Sequence, residues 1–405
     1  MLLISTIIHT VVGLMIALPL LNYRLKISRW NKLILDYPQS KNKSELLILL
    51  PIWNESLVIE KKLNNLICDY PFQVSLMVVD SASSDSSVSI VNSWAQQHQD
   101  KFNNIDVIEM PKRLGKTAAV KLAVETLNEA NYDGLVLMTD ADALLDQMTI
   151  TRLHGWFADD TIGVVGCSAN RITSLAGESQ YRGLYEKLRV GESKKDSTPF
   201  LEGSCMMWRH GLFNCQELNV NSNADDAQVA NLIRMGGHRS ILDNSVQFTD
   251  FAPIEIDDQR RQKIRRAQGL QHLLMSINTS DDRIKRSNYS YIINLQKYFH
   301  LIIPVLLMAI ALNSVIRWSY ISITGMPQDQ FAYVHAFFSF IEVFMLVSWL
   351  TFRAGISLPI IGGIGNMLTS FEYLLIARYR IFRGLQSNLW EQHEAPRIQM
   401  SKFSN

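Results

Sequence analysis

Charged side chains stand where four successive apolar segments of this 405-residue chain end. In chain order they are Glu55, Asp80, Lys112 with Lys116, and Asp140 with Asp142. Asp140 and Asp142 are separated by one residue, so both carboxylates can reach one divalent cation, and their hard oxygens suit Mg²⁺ or Mn²⁺. Lys112 and Lys116 precede a predicted helix, whose N-terminus also favours phosphate. Together these residues predict a site for a nucleotide diphosphate, although an Asp-x-Asp alone is also typical of a solvated turn.

Composition and motif spacing exclude several other classes of protein. The net charge of +1, from 39 Lys and Arg against 38 Asp and Glu, argues against a nucleic-acid binder. Gly115-Lys116-Thr117 matches the end of a P-loop, but Met110 stands where that motif requires its first glycine. The four cysteines form no CxxC pair and the chain has no HExxH, which argues against a disulfide scaffold or a structural zinc site.

The elements that must position these side chains alternate along residues 45–275. Short apolar runs predict strands at Leu46–Leu50, Val74–Val79, Ile105–Ile108 and Leu135–Met138. Segments with helical spacing lie between them, at Glu55–Cys68, Ser86–Gln97 and Lys116–Ala130. This alternation predicts an α/β fold with a doubly wound, mainly parallel sheet. Such sheets bind ligands beyond the carboxyl ends of their strands, which is where the charged residues stand.

The apolar segment at the start of the chain predicts a membrane anchor. Leu2–Leu21 is nearly all apolar and long enough to span a bilayer, and basic residues follow it. We therefore predict a transmembrane anchor at residues 1–22, with the N-terminus outside and the next segment cytoplasmic. A cleaved signal peptide is the alternative, but nothing basic precedes the apolar run.

Residues 298–378 contain three further apolar segments, Tyr298–Ile316, Ala332–Phe352 and Gly355–Ala377. We predict two or three spans here, because glycines and Glu372 weaken the last segment, which is then either a full span or re-entrant. Glu342 is expected to face other helices rather than to carry chemistry. The arginines at 378–383 indicate a cytoplasmic tail at 379–405, whereas four full spans would place that tail outside. Residues 276–297 are predicted to form an interfacial linker.

Short motifs between residues 47 and 269 add a second line of inference. They are Leu-Pro-Ile-Trp-Asn-Glu (50–55), Val-Val-Asp-Ser-Ala-Ser-Ser-Asp (78–85), Arg-Leu-Gly-Lys (113–116), Thr-Asp-Ala-Asp (139–142), Glu-Gly-Ser-Cys-Met-Met-Trp-Arg (202–209), Asn-Ala-Asp-Asp-Ala-Gln-Val (223–229) and Gln-Lys-Ile-Arg-Arg-Ala-Gln-Gly (262–269). In this order, and flanked by apolar segments, they resemble the membrane-integrated branch of the inverting family 2 glycosyltransferases with a GT-A fold. That branch includes the hyaluronan, cellulose and poly-N-acetylglucosamine synthases and ceramide glucosyltransferase.

The resemblance implies a glycosyltransferase that uses a nucleotide sugar, with a UDP-sugar favoured, and Mg²⁺ or Mn²⁺ as cofactor. It implies Asp140 and Asp142 as metal ligands and Asp226 as the base in a single, inverting displacement. The residues that it implies in nucleotide-sugar binding are Pro51, Glu55, Asp80, Lys116, Asp140, Gly203, Ser204, Gln262, Arg265 and Arg266. The implied acceptor is a lipid, a lipid-linked glycan or a polysaccharide, and the catalytic domain at 45–275 is expected to face the cytoplasm, with the plasma membrane favoured.

The sequence departs from the family pattern at two places. Ala224-Asp225-Asp226 stands where the family has Thr-Glu-Asp, and it keeps the final acid. Arg266 replaces the Trp that supports the acceptor sugar in polymerising members, so a single or limited transfer is favoured over a processive synthase that also secretes its product. An inactive membrane scaffold of the same fold is a further alternative. Asp226 is also typical of a helix cap, and Arg265 and Arg266 of cations at a membrane surface.

Overall fold

One eight-stranded sheet forms the centre of the molecule. The computed structural model describes residues 1–172, 178–253, 255–327, 331–356, 358–385, 389 and 393–403. The strands are β1 Leu46–Ile52, β2 Val74–Asp80, β3 Ile105–Glu109, β4 Leu135–Thr139, β5 Ala143–Leu144, β6 Ile162–Ile172, β7 Cys205–Arg209 and β8 Arg239–Phe251. The described α-helices are α1 Leu2–Trp30, α2 Ile59–Asn65, α3 Ser87–Gln97, α4 Lys116–Glu129, α5 Gln147–Gly155, α6 Glu178–Lys195, α7 Asp225–Met235, α8 Ile256–Ser276, α9 Asn288–Lys297, α10 Ile303–Thr324, α11 Phe331–Arg353, α12 Pro359–Phe382 and α13 Glu394–Lys402.

The order of the strands confirms the predicted α/β class and the mainly parallel sheet. The sheet runs β3-β2-β1-β4-β7-β6-β8-β5. β3, β2, β1 and β4 pair in parallel, whereas β7 is antiparallel to both of its neighbours. β1 continues through Pro51 to Ile52, two residues beyond its predicted end. Pairing with β4 stops at Leu49, so Pro51, which has no N–H, lies where the strand has only one neighbour.

The two faces of the sheet are both covered, which explains its nearly continuous apolar strands. Side chains alternate between the faces along β1: Ile48 and Leu50 pack towards α2, α3 and α5, whereas Leu47 and Leu49 pack towards α4 and α7. The helix predicted at Glu55–Cys68 is shorter, Ile59–Asn65. Its first residues instead form a turn in which the Glu55 N–H donates to Ser87 Oγ at 2.7 Å.

Within the described residues, four helices are long and apolar enough to cross a membrane: Leu2–Trp30, Asn288–Thr324, Ala332–Arg353 and Ile360–Phe382. α1 runs past the predicted end at residue 22, and Asn31 just beyond it donates to the Lys187 carbonyl at 3.0 Å. α9 continues through a π-helical turn at Tyr298–Ile302 into α10. Glu342 of α11 faces other helices, since it accepts from Ser314 Oγ at 2.6 Å and pairs with Arg317.

The C-terminal helix α13 packs on the sheet and on the helices that cover it. Met400 is fully buried in the same apolar cluster as β1. The ring of Phe403 meets Phe251 of β8 edge-on, with ring centroids 5.4 Å apart. The predicted tail at 379–405 is described at 379–385, 389 and 393–403, and α13 lies on the same side of the molecule as the sheet.

Candidate active site

A cavity of about 360 Å³ opens beyond the carboxyl ends of the central strands, where a doubly wound sheet is expected to bind ligands. One end is formed by the β4 exit and the start of α4 and α7. The other end reaches α8 and the membrane-side helices, where His300, Ser370, Tyr373 and Leu374 form its wall. Eight of the predicted site residues line it: Lys116, Asp140, Gly203, Ser204, Asp226, Gln262, Arg265 and Arg266. The cavity therefore joins the acidic edge of the sheet to the apolar helices.

Lys116 neutralises several acids at the inner end of the cavity. Its Nζ lies 2.6 Å from Asp140 Oδ1 and 3.3 Å from Asp225 Oδ2. Gly115, with φ of +92°, allows the sharp turn that starts α4 and places Lys116 in its first turn. Burial alone lowers the pKa of Lys116, but the carboxylates of Asp140 and Asp225 outweigh it, so the pKa is raised and the side chain stays charged.

Asp226 lies beside this cluster at the start of α7, with its carboxylate towards the cavity. Its Oδ2 accepts from the Gly203 N–H at 3.0 Å and its Oδ1 from the Ala227 N–H at 2.7 Å. Burial and the neighbouring Asp225 raise its pKa to about 7, against the opposing charge of Lys116. Gly203 is needed for this approach, because a Cβ there would lie 3.0 Å from Lys116 Nζ and 3.3 Å from Asp226 Cβ.

The β4 exit is held by partners above and below it. Asp140 Oδ2 accepts from Ser204 Oγ at 2.8 Å, and the charge of Lys116 outweighs burial, so the pKa of Asp140 is lowered. Beneath the loop, the fully buried Lys62 donates to Thr139 Oγ1 at 2.8 Å and to the Ala143 carbonyl at 2.6 Å. Burial lowers the pKa of Lys62 to about 7. Lys62 therefore fixes both ends of the Asp140–Asp142 turn.

Asp142 meets a cation that comes from the C-terminal helix. Arg397 Nη1 lies 3.9 Å from Asp142 Oδ2, while Nε and Nη2 of Arg397 bind the two carboxylate oxygens of Glu55 at 2.6 and 2.5 Å. We call this pair the Glu55–Arg397 clamp. Burial raises the pKa of Glu55 to about 7 despite Arg397. Burial and Asp140 likewise raise the pKa of Asp142, although Arg397 opposes them.

The remaining predicted residues at the strand ends have local structural partners. Both carboxylate oxygens of Asp80 bind Ser83, accepting from its N–H at 2.9 Å and its Oγ at 2.5 Å. Pro51 is buried within β1. Between these loops, the guanidinium of Arg113 lies over the Trp53 ring, 3.3 Å from its centroid. Pro51, Glu55, Asp80 and Asp142 thus lie at the edge of the site, outside the wall of the cavity.

α8 contributes the predicted Gln262, Arg265 and Arg266 to the cavity wall. The Arg265 carbonyl accepts from Asn223 Nδ2 at 3.1 Å, which ties α8 to the loop before α7. Gly269 allows this packing, since a Cβ there would lie 2.0 Å from Asn223 Oδ1. The charge of Arg266 acts on Asp140 and helps to lower the pKa of that acid, after Lys116 and Ser204. α8 therefore brings cations to the acidic end of the cavity.

Asp140 and Asp142 offer hard oxygen ligands but do not complete a metal site alone. Across the ranges that the structure describes, no group of three or more His, Cys, Asp and Glu residues could hold a metal ion. Asp142 keeps 27% of its side chain exposed, although burial of the carboxylate raises its pKa. Two carboxylates fit Mg²⁺ or Mn²⁺ when phosphate oxygens and water supply the other ligands, as is usual for Mg²⁺.

Four residues that the sequence analysis did not assign belong to this site. Asp225 binds Lys116, Lys62 supports the β4 exit, Arg397 binds Glu55, and Arg189 binds Glu202 at 2.7 Å on the cavity wall. The doubled acid in the 223–229 motif was a signal for Asp225. No sequence signal marks Lys62 or Arg397, because each reaches the site through tertiary packing.

The chain is similar to glycosyltransferases of known structure. Residues 47–216 match the family model described as Glycosyl transferase family 2. The mannosyltransferase PcManGT from Pyrobaculum calidifontis, solved with GDP-Man and Mn²⁺, is 26% identical, with a TM-score of 0.71 over 93% of this chain and 99% of that chain. TarS 1-349 from S. aureus is 14% identical, with a TM-score of 0.44 over 84% of this chain and 92% of that chain. Glucosyl-3-phosphoglycerate synthase from Mycobacterium tuberculosis is 16% identical, with a TM-score of 0.38 over 57% and 79%. No curated protein matches the chain in sequence.

Proposed function

We propose that this chain transfers a sugar from a nucleotide sugar to a lipid or lipid-linked acceptor at a membrane surface. Its residues 47–216 match the family 2 glycosyltransferase model, and its structural similarity is to glycosyltransferases. The expected GT-A fold and enzyme class are thereby confirmed. The observation that carries the proposal is the cavity, which extends from Asp140 and Lys116, past Asp226, to the walls of the membrane-side helices. A donor at the inner end and a membrane-borne acceptor at the outer end would meet at Asp226.

Asp226 is the proposed catalytic base. Its carboxylate faces the cavity and is held by two backbone N–H groups, so its direction is fixed. A pKa of about 7 suits a group that must take a proton from the acceptor hydroxyl near neutral pH. Asp140 is bound by Lys116, whose charge outweighs burial and lowers the pKa of Asp140, so this acid does not compete for the proton. With Asp226 as base and direct attack by the acceptor hydroxyl, the displacement is single and inverts the anomeric carbon.

The acids at the β4 exit are proposed to bind the diphosphate of the donor through a divalent cation. Asp142 and Asp140 would hold Mg²⁺ or Mn²⁺, which when bound neutralises the charge that develops on the leaving diphosphate. Lys116 and Arg266 add positive charge at the same end of the cavity. PcManGT was solved with GDP-Man and Mn²⁺, so GDP-mannose is tested beside the UDP-sugars that the sequence favours.

The acceptor is proposed to enter from the membrane side. The outer wall of the cavity combines apolar side chains such as Phe200, Leu270 and Leu374 with polar groups. An acceptor with a lipid tail and a polar head fits such a wall, because the tail stays among apolar helices while the hydroxyl reaches Asp226. Arg266 stands where polymerising relatives carry Trp, and we therefore propose a single or limited transfer.

The contacts of the last helices support three membrane crossings. α10 begins at the catalytic side, where the His300 carbonyl accepts from Gln271 of α8 at 2.9 Å. α11 ends there too, since Arg353 pairs at 2.8 Å with Glu372, which also lies 3.5 Å from Arg260 of α8. α12 therefore begins at the catalytic side.

α12 also ends at that side, because the Leu385 carbonyl just beyond it accepts from Gln268 of α8. We therefore propose that α1, α10 and α11 cross the membrane and that α12 lies along the interface, with both of its ends on the catalytic side. The basic residues at the end of α1 (Arg24, Lys26 and Arg29) and those at 378–383 then share one side with the catalytic domain and the tail. By the positive-inside bias that side is cytoplasmic, and a plasma membrane is the favoured location.

A direct test is nucleotide release by the full-length protein purified in detergent. GDP-mannose, UDP-glucose and UDP-N-acetylglucosamine are supplied with Mn²⁺ or with EDTA, and membrane lipid extract serves as acceptor. We expect Mn²⁺-dependent release with one donor, and a lipid product carrying one or a few sugars by mass spectrometry. A long ladder of products would contradict the limited transfer. Nucleotide binding without any release would favour the inactive scaffold, and no nucleotide binding would contradict the proposed function as a whole.

A further inference from the structure

The C-terminal helix α13 is fixed on the catalytic domain by more than its apolar face. Lys61 of α2 donates from Nζ to the Met400 carbonyl at 2.6 Å and also to the Phe403 carbonyl. These bonds satisfy carbonyls at the end of a helix, which have no partner within it. At the other end, His393 Nδ1 lies 3.5 Å from Asp258 Oδ2 of α8. Both ends of α13 are therefore attached, and the side chains between them have defined positions.

Arg397 points from this helix into the acidic edge of the site. The residue is 5% exposed and Glu55 is 4% exposed, so the clamp is a buried ion pair. Two parallel bonds to Glu55 leave Nη1, which donates to the His393 carbonyl at 3.0 Å and lies 3.9 Å from Asp142 Oδ2. The planar guanidinium therefore has one edge fixed by Glu55 and the opposite nitrogen directed towards Asp142.

Without Arg397, Glu55 and Asp142 would be two acids facing each other at a partly buried edge. An unpaired buried charge is costly, so the two carboxylates would not keep their present positions. Asp142 has no cation closer than Arg397 among the ion pairs of the described residues. Among these ion pairs, the cation that faces Asp142 thus comes from the far end of the chain.

We propose that Arg397 is a positioning residue of the donor site: clamped by Glu55, it holds the Asp142 carboxylate in place for the divalent cation of the donor. This inference rests on the proposed function, in which Asp140 and Asp142 bind that cation. The C-terminal helix thereby becomes part of the active site. A lysine at 397 keeps the charge but lacks the planar fork, so it cannot bind Glu55 bidentately and face Asp142 at once.

The test measures Mn²⁺ binding directly, by electron paramagnetic resonance of free Mn²⁺ titrated into the full-length protein with GDP or with UDP. Partners that orient a metal ligand typically contribute about 10-fold or more to metal affinity. We therefore expect Arg397→Lys to raise the Kd of Mn²⁺ about 10-fold. The charge is unchanged in this variant, so the effect reports geometry. An unchanged or lower Kd would overturn the proposal.

A matched control is available in Arg234, which also binds a carboxylate with two nitrogens. Its Nε and Nη2 lie 2.8 and 3.2 Å from the oxygens of Asp196, outside the cavity wall. Arg234→Lys should lower the melting temperature and leave the Kd of Mn²⁺ unchanged. An equal rise in Kd for this variant would show that any disturbed ion pair weakens Mn²⁺ binding, which would also overturn the proposal.

A second pair of variants distinguishes a role of the Glu55–Arg397 clamp in positioning Asp142 from a role in stability alone. Glu55→Gln alone should release Arg397 towards Asp142 and weaken Mn²⁺ binding. In Glu55→Gln/Arg397→Met both charges are removed, and stability should recover relative to Glu55→Gln, because neither partner is left unpaired. We expect Mn²⁺ binding to stay weak in the double variant. Recovery of Mn²⁺ affinity together with stability would show a purely structural role for the clamp.

Mn²⁺ binding by the unsubstituted parent protein distinguishes failure of this inference from failure of the proposed function. If the parent binds Mn²⁺ with either nucleotide and Arg397→Lys binds it equally well, only the role of Arg397 is wrong. If the parent binds no Mn²⁺ with either nucleotide, the metal site of the proposed function fails, and the role of Arg397 fails with it.

Discussion

The two cations that neutralise the acids of the site come from different parts of the molecule. Lys116 lies at the start of α4, directly after a strand, and binds Asp140 and Asp225. Arg397 lies on the C-terminal helix and binds Glu55 beside Asp142. Burial raises the pKa of Glu55 and of Asp142 despite Arg397, whereas Lys116 outweighs burial and lowers the pKa of Asp140. The Lys116 ion pairs form because of the order of strands and helices in the sheet, whereas the Arg397 ion pairs also require the C-terminal helix to pack on the domain.

One part of the active site is therefore built by the sheet and its helices alone, and the other part also needs the C-terminal helix. The Lys116 cluster is assembled from segments that the sheet brings together whatever the tail does. The Glu55–Arg397 clamp exists only when Met400 and Phe403 pack on the domain. We therefore expect changes around Lys116 and Asp226 to affect the chemical step, and changes in the clamp to affect binding of the metal and nucleotide.

The largest expected effect on the Lys116 side is that of Asp226→Asn. The amide keeps the shape and can still accept from the Gly203 N–H, but it cannot take a proton. We expect kcat to fall about 10³-fold, within the range of general-base catalysis. Nucleotide affinity, measured by calorimetry, should be unchanged. Unchanged turnover would remove Asp226 as the base.

Lys116→Met should have the next largest effect. It leaves Asp140, Asp225 and Asp226 without their shared cation, and an unpaired buried charge costs about 3–5 kcal/mol of folding free energy. We expect kcat/KM to fall about 100-fold, as for other groups that stabilise transition-state charge, with a lower melting temperature. Lys121→Met on the same helix is the control. Equal losses in both variants would contradict a special role for Lys116.

Gly203→Ala should have a smaller effect on the same cluster. The new Cβ would lie 3.0 Å from Lys116 Nζ and 3.3 Å from Asp226 Cβ, so both must shift by a few tenths of an ångström. Because catalysis is sensitive to such shifts, we expect about a 10-fold loss of kcat. Gly183→Ala, where nothing lies within 4 Å of the added Cβ, is the control. A loss confined to stability would contradict this account of Gly203.

The smallest expected effect concerns the pH dependence of kcat/KM, which should report on Asp226 and not on the Glu55–Arg397 clamp. The pKa of Asp226 is raised to about 7, and only its deprotonated form can accept a proton. Activity should therefore be constant above this pH and fall about tenfold per unit below it. Arg397→Lys should leave this acid limb in place, because the clamp does not contact Asp226. A limb near pH 4 would mean that Asp226 is not buried as described.

The sequence predicted the strands of the catalytic domain well because their apolar runs are buried on both faces. β2 was expected at Val74–Val79 and lies at Val74–Asp80. The helix at Glu55–Cys68 was predicted too long, since side-chain bonds from Ser87 and Asp85 hold its first residues in a turn. Charges at the strand ends located the edge of the site, because parallel strands end together.

The partners of these charges were less predictable. Both carboxylate oxygens of Asp80 bind Ser83, a contact that the sequence did not indicate, and nucleotide binding by Asp80 stays a prediction. Asp-x-Asp spacing indicated two acids at the β4 exit, but not that Lys116 would hold one and Arg397 approach the other. The spacing of apolar residues predicts which residues are buried, but it does not predict that a long side chain from a distant helix will contact them. The assignments of Asp226 as the base and of Asp140 and Asp142 as metal ligands stay predictions.

The central claim is that one carboxylate, Asp226, does the chemistry, while Asp140 and Asp225 are paired with Lys116 and Glu55 is paired with Arg397. The most direct test is the anomeric configuration of the first product formed by the full-length enzyme, determined by ¹H NMR. Direct attack by the acceptor, with Asp226 as base, predicts inversion relative to the nucleotide sugar. Retention would require two displacements, or attack from the face that the diphosphate leaves, and would contradict the assignment of the site.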